Sequence, residues 1–149
     1  MGGLVNPGTA PSGVDTAELE ARIRRSPFHT WLGLRVLTAD ASQLRLRASW
    51  REEWSNGNSL RTTHGGIVAA LLDLAADWAI ACAGGQTAPT LDFSVQYLRA
   101  AQPGHLTVVG RVLKQGRSVT FAEAEVLDAD GRTLAVGRGT YASFTRTAG

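Results

Sequence analysis

The sequence predicts an α+β domain in which an antiparallel β-sheet wraps around one long central helix, with short helices ahead of it. Three observations carry that expectation. Residues Ile67 to Cys82 form one nearly unbroken apolar stretch of helical length. Several other segments alternate apolar and polar side chains in the strand period of two, and Asp130-Gly131 places a tight turn between two of them.

Taken in order, residues 1–14 carry Pro7, Gly8, Pro11 and Gly13 and read as a disordered lead-in, which leaves 15–147 as a single domain. Asp15 is a good N-cap for a short helix, Thr16 to Arg25, in which Leu19 and Ile23 share a face. Ser26-Pro27 then ends it. A short segment, Phe28 to Gly33, leads into one strand-like stretch from Leu34, where Leu44, Leu46, Ala48 and Trp50 alternate with Arg45, Arg47 and Ser49. Polar residues from Arg51 to Thr63, with the turn signal Ser55-Asn56-Gly57-Asn58, form a loop that feeds the central helix near Gly65. After Gly84-Gly85, strands are expected over Leu91 to Tyr97, Leu106 to Leu113, Val119 to Leu127 and Thr133 to Phe144, the last three as an antiparallel meander. The central helix is apolar on nearly every side, more than one curved sheet can cover, so a second copy of the chain is expected to cover the rest.

Composition narrows the function. The 149 residues are 44% hydrophobic and 19% charged, enough apolar surface for one core. Fifteen basic residues, fourteen of them Arg, against thirteen acidic ones leave a net charge of +2. That excess is too weak and too scattered to point to nucleic acid, although a few local Arg suffice to hold the phosphates of a small molecule. Cys82 is the only thiol, which excludes an intrachain disulfide and a multi-cysteine metal site. The start of the chain shows no export or myristoylation signal, and the longest apolar run carries Asp73 and Asp77 and falls short of a bilayer span. A cytoplasmic protein without membrane, metal or redox cofactor is the expectation.

Two features point to chemistry. An ionised carboxylate inside an apolar helix costs several kcal/mol unless something compensates it, and Asp73 lies too far along to cap the helix. A structural hydrogen bond is the plain alternative to a catalytic role. The other feature is His64-Gly65-Gly66 where the helix begins: free N–H groups and the positive helix end face outward there, and two glycines admit a ligand to the backbone. Such a terminus suits an anion or a developing oxyanion, although glycines also start ordinary helices. Gly65 and Asp73 are eight residues apart, about 12 Å along a helix. One chain therefore cannot bring both to one carbonyl carbon. If both act on one substrate, a two-fold dimer must supply the donor from one subunit and the carboxylate from the other.

With His64-Gly65-Gly66 followed by Asp73 nine residues after the His, the sequence resembles the PaaI-like acyl-CoA thioesterases of the hotdog fold, within the 4-hydroxybenzoyl-CoA thioesterase superfamily. The resemblance runs from about Phe28 to Phe144 and takes in Asn58, Thr90-Leu91-Asp92-Phe93, Leu98-Arg99 and Pro103-Gly104. It implies hydrolysis of an acyl-CoA, with Asp73 as nucleophile or general base, Gly65 N–H polarising the thioester carbonyl, Asn58 assisting there and Thr90 positioning water. In that family His64 looks like a residue that shapes the helix start, with its imidazole as a base the alternative. Gly66 belongs to the same substrate-facing terminus, and Asp92 reads as structural.

Two positions depart from the family pattern. Asp77, one turn after Asp73 and on the same face, stands where relatives acting on hydroxybenzoyl-CoA look to have Thr, and would tune a base through the closeness of two carboxylates, line a polar acyl pocket, or face a wet interface. Ala100-Ala101 stands where many relatives have Pro. Arg99, Lys114 and Arg117 are candidates for the CoA phosphates, and Trp54 and Trp78 for the acyl pocket, core packing being the competing reading for both. The expected substrate is an aryl, arylacetyl or short-to-medium-chain acyl-CoA, CoA entering only as part of the substrate, on a homodimer or dimer of dimers. The rival from another class is a noncatalytic acyl-CoA-binding or regulatory module on the same fold, which leaves Asp73 without a reason.

Overall fold

The computed structural model describes residues 13–143. Most of the lead-in read over residues 1–14 lies outside these, as does Phe144, the expected end of the last strand. The Asp15 carboxylate accepts from the N–H groups of Ala17 at 3.0 Å and Glu18 at 3.2 Å. It thereby caps helix α1 (Thr16–Ile23), which turns Leu19 and Ile23 into the core. Ser26-Pro27 opens an element as well as closing one. Ser26 caps helix α2 (Pro27–Trp31), since a proline at the first helical position has no N–H to satisfy and its fixed φ suits a helix.

The stretch from Leu34, expected as one strand, is a hairpin of β1 (Arg35–Ala39) and β2 (Leu44–Ala48). Asp40 makes the break. Its Oδ1 accepts from the Ser42 N–H at 2.7 Å, the Ser42 hydroxyl at 2.6 Å and the Gln43 N–H at 3.0 Å, a side-chain-built turn that reverses the chain. A 3₁₀ turn at Glu52–Trp54 and a polar loop then lead to α3 (Gly65–Cys82). Four strands follow: β3 (Thr90–Tyr97), β4 (Leu106–Gln115), β5 (Val119–Leu127) and β6 (Thr133–Ala142). All six form one sheet in the order β1-β2-β4-β5-β6-β3, antiparallel throughout. The expected meander β4-β5-β6 is its centre, with Gly131 at φ +81° in the turn between β5 and β6.

Helix α3 lies against the sheet, touching β2 through β6, and Leu71, Leu72, Ala75 and Ala76 are fully buried beneath it. Gly110 on β4 sets the depth of that contact. A Cβ there would collide with the carbonyl oxygen of Ala75, so a glycine is what lets the helix sit so close. By length and composition alone α3 could cross a bilayer, yet this packing already buries one side of it. Gly66, Ala69, Ala70, Asp73, Asp77 and Ala81, spaced three and four apart, form a face that the sheet leaves partly open. Its side chains are small apart from two carboxylates.

Candidate active site

Asp73 projects from the middle of α3 toward the end of the sheet where β6 and β3 meet. Thr90 opens β3 and is the register partner of Tyr141 on β6, and both side chains reach the same carboxylate oxygen. The Thr90 hydroxyl donates to Asp73 Oδ1 at 2.8 Å, and the Tyr141 hydroxyl lies 2.9 Å from that oxygen and 3.2 Å from the Asp73 main-chain oxygen. One hydroxyl has one proton, and the charged Oδ1 is the stronger acceptor. Among the described residues nothing donates to Oδ2. Tyr141 is fully buried, and burial together with the charges of Asp73 and Asp77 pushes its hydroxyl far above the usual phenol range.

Asp77 stands one turn further along the same face, where its Oδ1 accepts from the Ala88 N–H at 2.9 Å. Burial, opposed by that hydrogen bond and reinforced by the charge of Asp73, pushes its carboxyl up to about 6. Asp73, Asp77 and Thr90, three residues singled out from the sequence, thus form one group. Tyr141 joins them and was not singled out. An inward-facing tyrosine on a strand otherwise reads as packing, and its partner is 68 residues away in sequence. The one sequence signal is its place after Gly137 and Gly139 as the large side chain of that strand face.

The start of α3 forms a second group. His64 Nδ1 accepts from the Gly66 N–H at 2.8 Å, which puts the ring proton on Nε2 and makes His64 the helix N-cap. The N–H groups of Ile67 and Val68 go to the His64 carbonyl, while that of Gly65 has no acceptor among the described residues. The Tyr97 hydroxyl donates to the Gly65 carbonyl oxygen at 2.8 Å. A cleft of about 300 Å³ opens here, with Gly65, Tyr97, Thr63 and Arg99 among its lining residues. Arg99 also donates to the Thr133 carbonyl at 2.8 Å.

Asn58 braces the loop before the helix. Its amide nitrogen donates to the Thr62 hydroxyl at 2.9 Å and its Oδ1 accepts from the Thr62 N–H at 3.1 Å, so both ends of the side chain are engaged there. The loop is fixed further by the Thr63 N–H on the Ala101 carbonyl and the His64 N–H on the Trp54 carbonyl. For Trp54 the structure takes the packing alternative. It is 0% exposed, lies 6.4 Å from Trp31 between ring centres, and offers no surface to an acyl group. Trp78 is half-buried with the Arg22 guanidinium over its ring. Arg117 is exposed in the β4–β5 turn. Thr120, Tyr141 and Thr90 are register partners across β5, β6 and β3, so that turn sits at the same end of the sheet as Asp73. Among the described residues no three His, Cys, Asp or Glu converge as a metal would require.

Six antiparallel strands packed on one long helix, with a carboxylate midway along that helix and an open N–H at its start, define a hotdog-fold protein. The family model of the thioesterase superfamily matches residues 60–135. A crystallised protein of that superfamily is 41% identical, with a TM-score of 0.82 over 87% of this chain and 98% of its own. The chain belongs to the thioesterase superfamily. Acyl-coenzyme A thioesterase 13 of Mus musculus is 28% identical over 109 residues, which is 71% of this chain and 78% of that protein. The E. coli PaaI protein from the phenylacetic acid degradation operon, 21% identical, shares the fold with a TM-score of 0.75 over 87% of this chain and 91% of its own. The fold and family expected from His64-Gly65-Gly66 and Asp73 are therefore met, and the relatives support thioester hydrolysis as the general class of activity.

Proposed function

We propose that the chain is an acyl-CoA thioesterase whose active site joins Asp73 of one protomer to the Gly65 N–H of its partner. One observation carries the reading. A carboxylate is held out on a partly open helix face with one oxygen committed and the other free, about 12 Å by helical rise from the only open N–H of its own first helical turn. Two copies related by a two-fold axis, α3 beside α3, would close that gap twice. The small side chains along Gly66, Ala69, Ala70, Asp73, Asp77 and Ala81 suit such an approach. So does β3, an edge strand on which Leu91 is 61% and Tyr97 56% exposed, with Leu98 just beyond its end 54% exposed.

In this arrangement the Gly65 N–H takes up the charge that develops on the thioester oxygen, and Asp73 serves as nucleophile or as base to a water; CoA leaves as the thiol. Arg99, beside Gly65 in its cleft, and Arg117, at the Asp73 end of the sheet, are placed for the phosphates of CoA. The substrate class is an aryl, arylacetyl or short-to-medium-chain acyl-CoA. Asp77 borders the acyl end and favours a polar substituent. We assign the protein to the cytoplasm as a homodimer or dimer of dimers that uses no cofactor beyond the CoA of its substrate.

The test is thiol release from a panel of acyl-CoAs, with Asp73→Asn expected to lose at least about a hundredfold in turnover. Chains carrying Asp73→Asn are then mixed and exchanged with chains carrying Gly65→Pro. Random pairing leaves about a quarter of the sites intact, so roughly a quarter of the wild-type rate should return. No recovery despite proven exchange refutes the shared site. Binding of acyl-CoA with no thiol release from any of them would make the chain a binding module.

A further inference from the structure

Resting on the thioesterase reading above, the structure also bears on which oxygen of Asp73 does the work. Two hydroxyls from two adjacent strands converge on Oδ1, one from Thr90 at 2.8 Å and one from Tyr141 at 2.9 Å. The two residues face each other in the β3–β6 register, so their spacing is set by the sheet and not by loop geometry. Tyr141 is fully buried and its ring is fenced by a glycine: a Cβ at Gly139 would lie 2.9 Å from Tyr141 Cε2. Of the two acceptors in its reach, Oδ1 at 2.9 Å and the Asp73 main-chain oxygen at 3.2 Å, the charged and nearer Oδ1 takes the proton. Burial and the adjacent carboxylates keep that proton on through any working pH, so the donor is permanent. A carboxylate with two donors on one oxygen is fixed in rotation, and its charge is drawn off one side.

We propose that Tyr141 is a positioning residue: with Thr90 it holds Oδ1 of Asp73, leaving Oδ2 as the oxygen that meets the substrate or its water. Loss of the phenol hydroxyl then leaves Thr90 as the single donor on Oδ1 and loosens the carboxylate's orientation. Substrate binding, which depends on the helix start and the cleft, is left alone.

The experiment is steady-state kinetics of Tyr141→Phe, using an acyl-CoA that the wild type hydrolyses, beside Asp73→Asn as control. Expected is a roughly ten- to hundredfold fall in kcat with KM within about threefold. Wild-type kcat in Tyr141→Phe, or a fall that lies in KM instead, with Asp73→Asn inactive, overturns the role of Tyr141 and leaves the thioesterase reading standing. Full activity of Asp73→Asn overturns both. Should Tyr141→Phe misfold, 3-fluorotyrosine can replace tyrosine throughout, because the chain has only two. In a Tyr97→Phe background only position 141 is labelled. The more acidic phenol donates more strongly and should change kcat about threefold with KM unmoved, and an unchanged kcat overturns the proposal.

Discussion

The two polar regions of α3 are built in opposite ways. At its middle, Asp73 is tied to β3 and β6 through side chains that come from far along the chain, with nothing local involved. At its start the loop largely braces itself, His64 on Gly66, Asn58 on Thr62 and the His64 N–H on the Trp54 carbonyl, and two groups from further along the chain join in, the Ala101 carbonyl on the Thr63 N–H and the Tyr97 hydroxyl on the Gly65 carbonyl. The sheet sets the carboxylate, and a self-braced loop presents the N–H. A carboxylate met by two hydroxyls can carry its charge in an apolar helix, while the Gly65 N–H stays open because the groups around it engage its carbonyl and its neighbours instead.

Gly65→Pro is the largest expected break in that contrast. Gly65 is the first helical residue, and His64 before it is already extended at ψ 134°, which a following proline requires. The substitution deletes one N–H and leaves the helix. It should lower kcat about a hundredfold or more with an unchanged circular dichroism spectrum; a wild-type rate would remove the helix start from the chemistry.

A second, smaller effect sharpens the carboxylate side. Asp77 is raised from 3.8 in the unfolded chain to about 6 in the folded one. Its folded form therefore binds a proton more tightly, and the stability this gives is present below about pH 4 and lost as pH rises through about 6. Wild type should lose on the order of 2 to 6 °C in Tm across that window relative to Asp77→Asn, measured by calorimetry. Parallel curves would mean the carboxyl meets water freely. The smallest effect belongs to His64. Asn is as good a cap as His64 is here but no base, so His64→Asn should keep kcat within about threefold, whereas His64→Ala loses about 1 kcal/mol of stability. A hundredfold fall in the Asn variant would make the imidazole a catalyst.

Much of this was legible in the sequence for a physical reason. An acid inside an apolar helix, and glycines at its start, violate local rules and so announce themselves. The strands from Leu91 onward followed their alternation, and Asp130-Gly131 gave the final turn. What failed to show was whatever depends on distant partners or on one short side chain. Asp40 split one expected strand by a turn of its own making, and Pro27 started a helix where it was read only as a stop. Trp54, beside polar Ser55 and Asn56, looked able to line a pocket and is sealed against Trp31. Tyr141 follows the strand pattern without departing from it, so nothing local distinguishes a working hydroxyl from a filler ring.

The position of Thr90 at the first residue of an outermost strand has a further consequence. Strand ends at a sheet border peel open more readily than any other part of it, and each such opening takes away one of the two hydroxyls on the acid. If Asp73 acts as proposed, its readiness for chemistry is coupled to how firmly that border is clasped, and a neighbouring molecule laid along it would steady the acid without touching it.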